Sequence, residues 1–140
     1  MKKFLIINGP NLNMLGKREP EVYGKDSLDE IIEETNQKLN GLAELHWYQS
    51  NLEGEIVSRI QGAFSQGYDA LIINPGGYAH TSVAIHDALK ILKIPVIEVH
   101  LSQVYKREEF RHTLLTAKAA TAIITGLGKD VYHVAVTSQL

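Results

Sequence analysis

The chain of 140 residues is 44% hydrophobic and 21% charged, the balance of one soluble globular domain with a real core. Its net charge is -2 with the signs interspersed, which excludes a strongly basic surface for nucleic acid or anionic membrane. There is no cysteine, so disulfides, thiolate zinc sites and thiol nucleophiles are excluded together.

Met1-Lys-Lys-Phe-Leu-Ile-Ile7 imitates a secretory start, but the apolar run breaks off sooner than a signal peptide requires. No apolar stretch approaches a membrane span. The expectation is a cytoplasmic protein with a single domain over residues 1–140.

Phe4–Ile7 is wholly apolar, as a strand buried on both faces is. Asn8 to Gly24 then reads as a long loop, and its two prolines make it a poor helix. Loops of this length are usually functional or disordered, and the interleaved Leu12, Met14, Leu15, Val22 and Tyr23 favour function.

Ser27 and Glu30 form a capping box ahead of a helix carrying Leu28, Ile31, Ile32, Thr35 and Leu39. Leu45–Gln49 predicts a second, less apolar strand. Ser50 or Asn51 would cap a second helix through Ile56, Ile60, Ala63 and Phe64. Ala70–Ile73 is the clearest buried strand, broken by Asn74-Pro-Gly-Gly77. Thr81 or Ser82 opens a third helix bearing Ile85, Ala88, Leu89 and Leu92. Val96–Val99 predicts a fourth strand, Lys106–Leu115 a short charged helix, and Ala119–Thr125 a fifth strand. Gly126-Leu-Gly128 leads into a final helix.

Strands alternating with helices predict an α/β fold, a doubly wound five-stranded parallel sheet. The flavodoxin-like order 2-1-3-4-5 is the natural one at this length. Ligands of such sheets bind beyond the carboxyl ends of the strands, where strand order reverses. Strand ends one, three and four would deliver Asn11, Asn74, His80, His100 and Ser102 to that edge, and the loop bearing Arg18 and Tyr23 leaves from it.

His100 suits proton transfer near neutrality, with Glu98 placed to orient it; a structural histidine at a strand end is the plainer alternative. His80 could bind a ligand or merely open a helix. A guanidinium near Tyr23 would favour tyrosinate, and Arg18 is the candidate, although their spacing alone does not guarantee contact. No His-Glu-x-x-His motif, phosphate loop or nucleophile elbow occurs, so neither a metal nor a nucleotide is expected. The glycines at the strand ends, and His100-Leu-Ser102, could cradle a carboxylate through backbone N–H groups.

Five blocks resemble the type II 3-dehydroquinate dehydratases. These are Gly9-Pro-Asn-Leu-Asn-Met-Leu-Gly-x-Arg-Glu-Pro-x-x-Tyr-Gly24, Gln49-Ser-Asn-x-Glu-Gly-Glu55, Asn74-Pro-Gly-Gly-x-x-His-Thr-Ser82, Ile97-Glu-Val-His-Leu-Ser102 and Arg107-Glu-Glu-Phe-Arg111. The resemblance implies anti elimination of water from 3-dehydroquinate to 3-dehydroshikimate through an enolate, in the shikimate or quinate pathway. It implies Tyr23 as base near Arg18, Asn11 holding a water at the enolate oxygen, and His100 as acid held by Glu98. Asn74, His80 and Arg111 would bind substrate hydroxyls, and the N–H groups of Leu101 and Ser102 its carboxylate. Asp87 would reach a neighbouring subunit's site in a dodecamer built from trimers, with no cofactor and no metal. In this picture Asn8–Asn11 is fixed and Gly16–Gly24 is a mobile lid.

The chain departs from the family pattern at Leu52, Gln103, His112-Thr-Leu-Leu115 and Val131. A flavin- or phosphate-binding module and a receiver domain are the rival readings. The former wants a Ser/Thr-rich phosphate loop after the first strand, and the latter an acidic cluster where Asn stands.

Overall fold

The computed structural model describes residues 1–140. Five strands form one sheet: β1 Lys2–Asn8, β2 Ala43–Gln49, β3 Ala70–Asn74, β4 Val96–His100 and β5 Ala122–Thr125. All neighbours run parallel, in the order β2-β1-β3-β4-β5. The helices are α1 Pro20–Tyr23, α2 Leu28–Lys38, α3 Glu53–Ala63, α4 Val83–Ile91 and α5 Asp130–Thr137. None is long and apolar enough to cross a membrane.

The wholly apolar central strands follow from burial on both faces. Along β1, Phe4 and Ile6 point into one core with Leu28 and Ile31 of α2 and Val131, Tyr132 and Val136 of α5. Leu5 and Ile7 point into the other with Ile56 and Ile60 of α3 and Ile85 and Leu89 of α4. The edge strand β5 is covered incompletely, and Ile123 stays exposed.

Local chemistry sets the helix starts. Ser27 Oγ accepts the Glu30 N–H while the Glu30 carboxylate accepts the Ser27 N–H, a complete capping box. Ser82 Oγ accepts the Ile85 N–H at the start of α4. The second helix departs from expectation, because it begins at Glu53 with Leu52 as an N-cap that has no side-chain bond. Ser50 is used otherwise: its hydroxyl accepts the Leu52 N–H and donates to Glu55.

Three further expectations are corrected. The stretch Lys106–Leu115 is not an α-helix but two 3-10 turns, Val104–Lys106 and Glu109–His112. It has no apolar stripe to lay on the sheet, since Phe110 is exposed, and Arg107 adopts extended backbone between the turns. The last strand begins at Ala122 rather than Ala119, because Ala117–Ala119 curl into a 3-10 turn. Finally, the long loop holds a 3-10 turn, Leu12–Met14, and the short α1. Pro20 opens α1 at a position where its missing N–H costs nothing.

Candidate active site

The strand order reverses between β1 and β3, whose final residues Asn8 and Asn74 are register partners. The loops beyond them interlock. Gly9 N–H donates to Asn74 O at 2.8 Å, and a Cβ on Gly9 would stand 2.5 Å from Pro75 O. Gly76 takes φ +60°, and a Cβ on it would stand 2.9 Å from Pro10 O, so both loops require glycine at the crossing.

Above this crossing lies a cleft of about 170 Å³. It gathers every residue expected at the site except Glu98 and Asp87. Glu98 lies directly beneath it, two residues before His100 on the same face of β4. Asp87 is elsewhere, exposed on α4 with its carboxylate 3.1 Å from His86 Nδ1. A hollow of about 290 Å³ between α2 and Trp47 contains no histidine or arginine.

His100 Nε2 is 2.7 Å from Glu98 Oε2, and both side chains are buried. Glu98 therefore occupies one edge of the imidazole and leaves Nδ1 as the other. His80 stacks toward His100 with ring centroids 6.3 Å apart. Its Nδ1–H donates to Thr113 O at 2.9 Å, which leaves Nε2 as its open nitrogen. Burial holds the His80 pKa below the usual imidazole value, helped by the nearby His100 and Arg111.

Tyr23, at the end of α1, stands between two guanidinium groups. Arg18 lies 4.7 Å from the ring centroid and Arg107 lies 4.9 Å from it. Arg107 was given no role by the sequence. It is nearly buried, donates to Ser102 Oγ at 3.3 Å, and reaches the cleft because its stretch is not a solvated helix. Its place within the block Arg107-Glu-Glu-Phe-Arg111 was the available signal. Arg111 is steadied by Glu108, 3.0 Å away, whose carboxyl is held below its usual range by that bond.

Asn74 spends its side chain inward, donating to Tyr132 and accepting the Gly76 N–H. Asn11 adopts the left-handed conformation at φ 69°, and its N–H is held by Asn51 Oδ1 at 3.0 Å. Asn51 was also missed. Its carbonyl accepts the Tyr78 hydroxyl, so it links the β1 and β3 loops from the sheet edge.

The N–H groups of Leu101 and Ser102 donate to no acceptor of the chain. With Arg18, Arg107 and Arg111 among its walls and no carboxylate lining it, the cleft suits an anion. No group of three or more His, Asp or Glu stands together as a metal site requires. The arrangement offers proton-transfer groups, hydrogen-bond donors and positive charge, the parts of an acid–base site for an anionic substrate.

The Dehydroquinase class II family model matches residues 2–140. A 3-dehydroquinate dehydratase of Caldicellulosiruptor bescii is 49% identical over 136 residues, covering 96% of this chain and 94% of that one. One from Fusobacterium nucleatum is 50% identical over 137 residues, covering 96% and 93%. A type II dehydroquinase crystal structure from Butyrivibrio crossotus superposes with a TM-score of 0.96 at 43% identity, covering 99% of this chain and 97% of that one.

Proposed function

Because the chain belongs to the class II dehydroquinases and is a hydro-lyase acting as a 3-dehydroquinate dehydratase, we propose that Tyr23 and His100 divide its proton transfers. Tyr23, as tyrosinate, takes the C2 proton of 3-dehydroquinate. The C–H electron pair forms the enolate, whose negative oxygen is stabilised through a water held at Asn11. The enolate then collapses, C1=C2 forms, and the C1–O bond breaks in an anti elimination. His100 gives a proton to the departing hydroxyl, which leaves as water. The products, 3-dehydroshikimate and water, account for every atom.

One observation carries this reading. A tyrosine between two guanidinium groups shares a cleft with a histidine backed by a buried glutamate. A proton α to a ketone is weakly acidic, and hydroxide is a poor leaving group, so the reaction wants both a base and an acid. The free N–H groups of Leu101 and Ser102 suit the substrate carboxylate, and His80, Arg111 and the Asn74 amide hydrogen that Tyr132 does not accept suit its hydroxyls. Closure of the Gly16–Gly24 segment would exclude water from the enolate.

The assembly belongs to the same proposal. Asp87 is exposed and outside its own chain's cleft, which supports its serving a neighbouring copy in a trimer-based dodecamer. Exposed Val83 and Ile91 on α4 supply apolar surface for such contacts. The cysteine-free composition supports a cytoplasmic setting, and a shikimate- or quinate-pathway role follows from the substrate.

The test is conversion of 3-dehydroquinate, followed by the ultraviolet absorbance of the conjugated enone, with borohydride added during turnover. Turnover that survives borohydride supports proton transfer without a covalent intermediate. A trapped lysine adduct would assign the reaction to a Schiff base instead.

A further inference from the structure

Glu98 is fully buried, yet its carboxylate is held at both oxygens. Oε2 meets His100 Nε2, and Oε1 accepts the hydroxyl of Thr116, also fully buried. Thr116 directly follows the divergent segment His112–Leu115, and this stretch is fastened to the cleft at several points. Leu115 and Thr116 N–H groups both donate to Ala79 O, at 2.8 and 3.4 Å. Thr113 O accepts His80 Nδ1–H at 2.9 Å. One short strut thus contacts the supports of both histidines.

We propose that Thr116 is a positioning residue for the reaction's acid: its hydroxyl fixes the Glu98 carboxylate, which in turn aims the open edge of His100 into the cleft. A carboxylate held at one oxygen can turn about its last bond and carry its histidine with it. A second donor on the other oxygen stops that rotation. The donor also compensates for burial, which disfavours a charged carboxylate. Threonine suits the place because β-branching restricts its side-chain rotation. Thr116 exchanges no proton; the proton that completes the leaving water comes from His100.

The inference rests on His100 being the acid, so the experiment separates the two claims. Full-length Thr116→Val, Thr116→Ser and His100→Ala are compared with the native chain for kcat and KM, with folding checked by circular dichroism. Thr116→Val should lower kcat by roughly tenfold to a hundredfold, as a misaimed catalytic group does, with KM changed by no more than about twofold. Thr116→Ser, which keeps the hydroxyl, should recover most of the loss.

A merely structural threonine would show neither this split between kcat and KM nor the rescue by Thr116→Ser. His100→Ala with native turnover would overturn the acid assignment itself. An inactive His100→Ala beside a Thr116→Val with native kcat would overturn the role of Thr116 alone. If Thr116→Val does not fold, Thr116→Ala, which also removes the donor, takes its place. Native kcat in that variant would equally contradict the proposal.

Discussion

The Tyr132 hydroxyl donates to Asn8 Oδ1 in a bond between fully buried residues 124 positions apart. Asn74 Nδ2 donates to the same hydroxyl at 3.2 Å, so one phenol on α5 ties together the ends of β1 and β3 beneath the cleft. Tyr132→Phe would leave both amides short of a partner. The expected cost is about 1–3 kcal/mol, read as a lowered midpoint in urea unfolding. Burial raises the pKa of this phenol above its ordinary value of about 10. The folded state therefore retains the proton more tightly. Its contribution is full below the ordinary value and is lost as pH rises above it, a loss that Tyr132→Phe should lack.

His80 works in the opposite sense. Its folded pKa is depressed by burial, so folding favours the neutral ring. That contribution is present above the ordinary imidazole value of about 6.5 and is lost as pH falls below it toward the folded pKa. The midpoint of the His80 ring resonances should lie below the ordinary imidazole value of about 6.5. Stability should fall less steeply on mild acidification in His80→Gln than in the native chain.

Asn51 should affect catalysis without lying in the cleft. Its Oδ1 accepts both the Asn11 N–H and the Gln49 side-chain amide, at 3.0 and 3.2 Å. Asn51→Leu removes that acceptor and frees a left-handed Asn11. The expected result is a fall in kcat of roughly tenfold or more, the scale of ångström misplacement. Asn51→Asp keeps the acceptor and should retain most activity.

Two glycines give a contrasting pair in stability measurements. Gly9→Ala drives a methyl to 2.5 Å from Pro75 O, which is backbone and cannot rotate away. A loss of about 1–3 kcal/mol is expected from such overpacking. Gly54→Ala, in α3, meets nothing within 4 Å and should be neutral or stabilising, by about 0.4–1 kcal/mol at most.

The sheet was legible because burial on two faces writes itself into Phe4–Ile7 and Ala70–Ile73 as unbroken apolar runs. From the strand order and the polar strand ends, the place of the cleft followed by topology. What stayed hidden depends on contacts with no local periodicity. The Lys106–Leu115 composition suits an exposed helix, yet Arg107 is drawn inward by Ser102 and the Tyr23 ring. Thr116 reads as an ordinary loop threonine until Glu98 is found beside it. Asn51 looks like a helix cap and instead accepts an N–H from a loop forty positions away. The short α1 was obscured by Pro20, which breaks helix interiors but opens helix ends.

The most direct measurement of the central claim is the turnover of Tyr23→Phe on 3-dehydroquinate, with the exchange of the C2 proton followed alongside. The substitution removes one oxygen and keeps the ring between Arg18 and Arg107. If Tyr23 is the base, kcat should fall by about 10²–10⁴-fold or more, the usual worth of a proton-transfer group. C2 exchange should fall with it while the unfolding midpoint is preserved. Native rates of turnover and exchange in a folded Tyr23→Phe chain would contradict the account and assign the proton to another group.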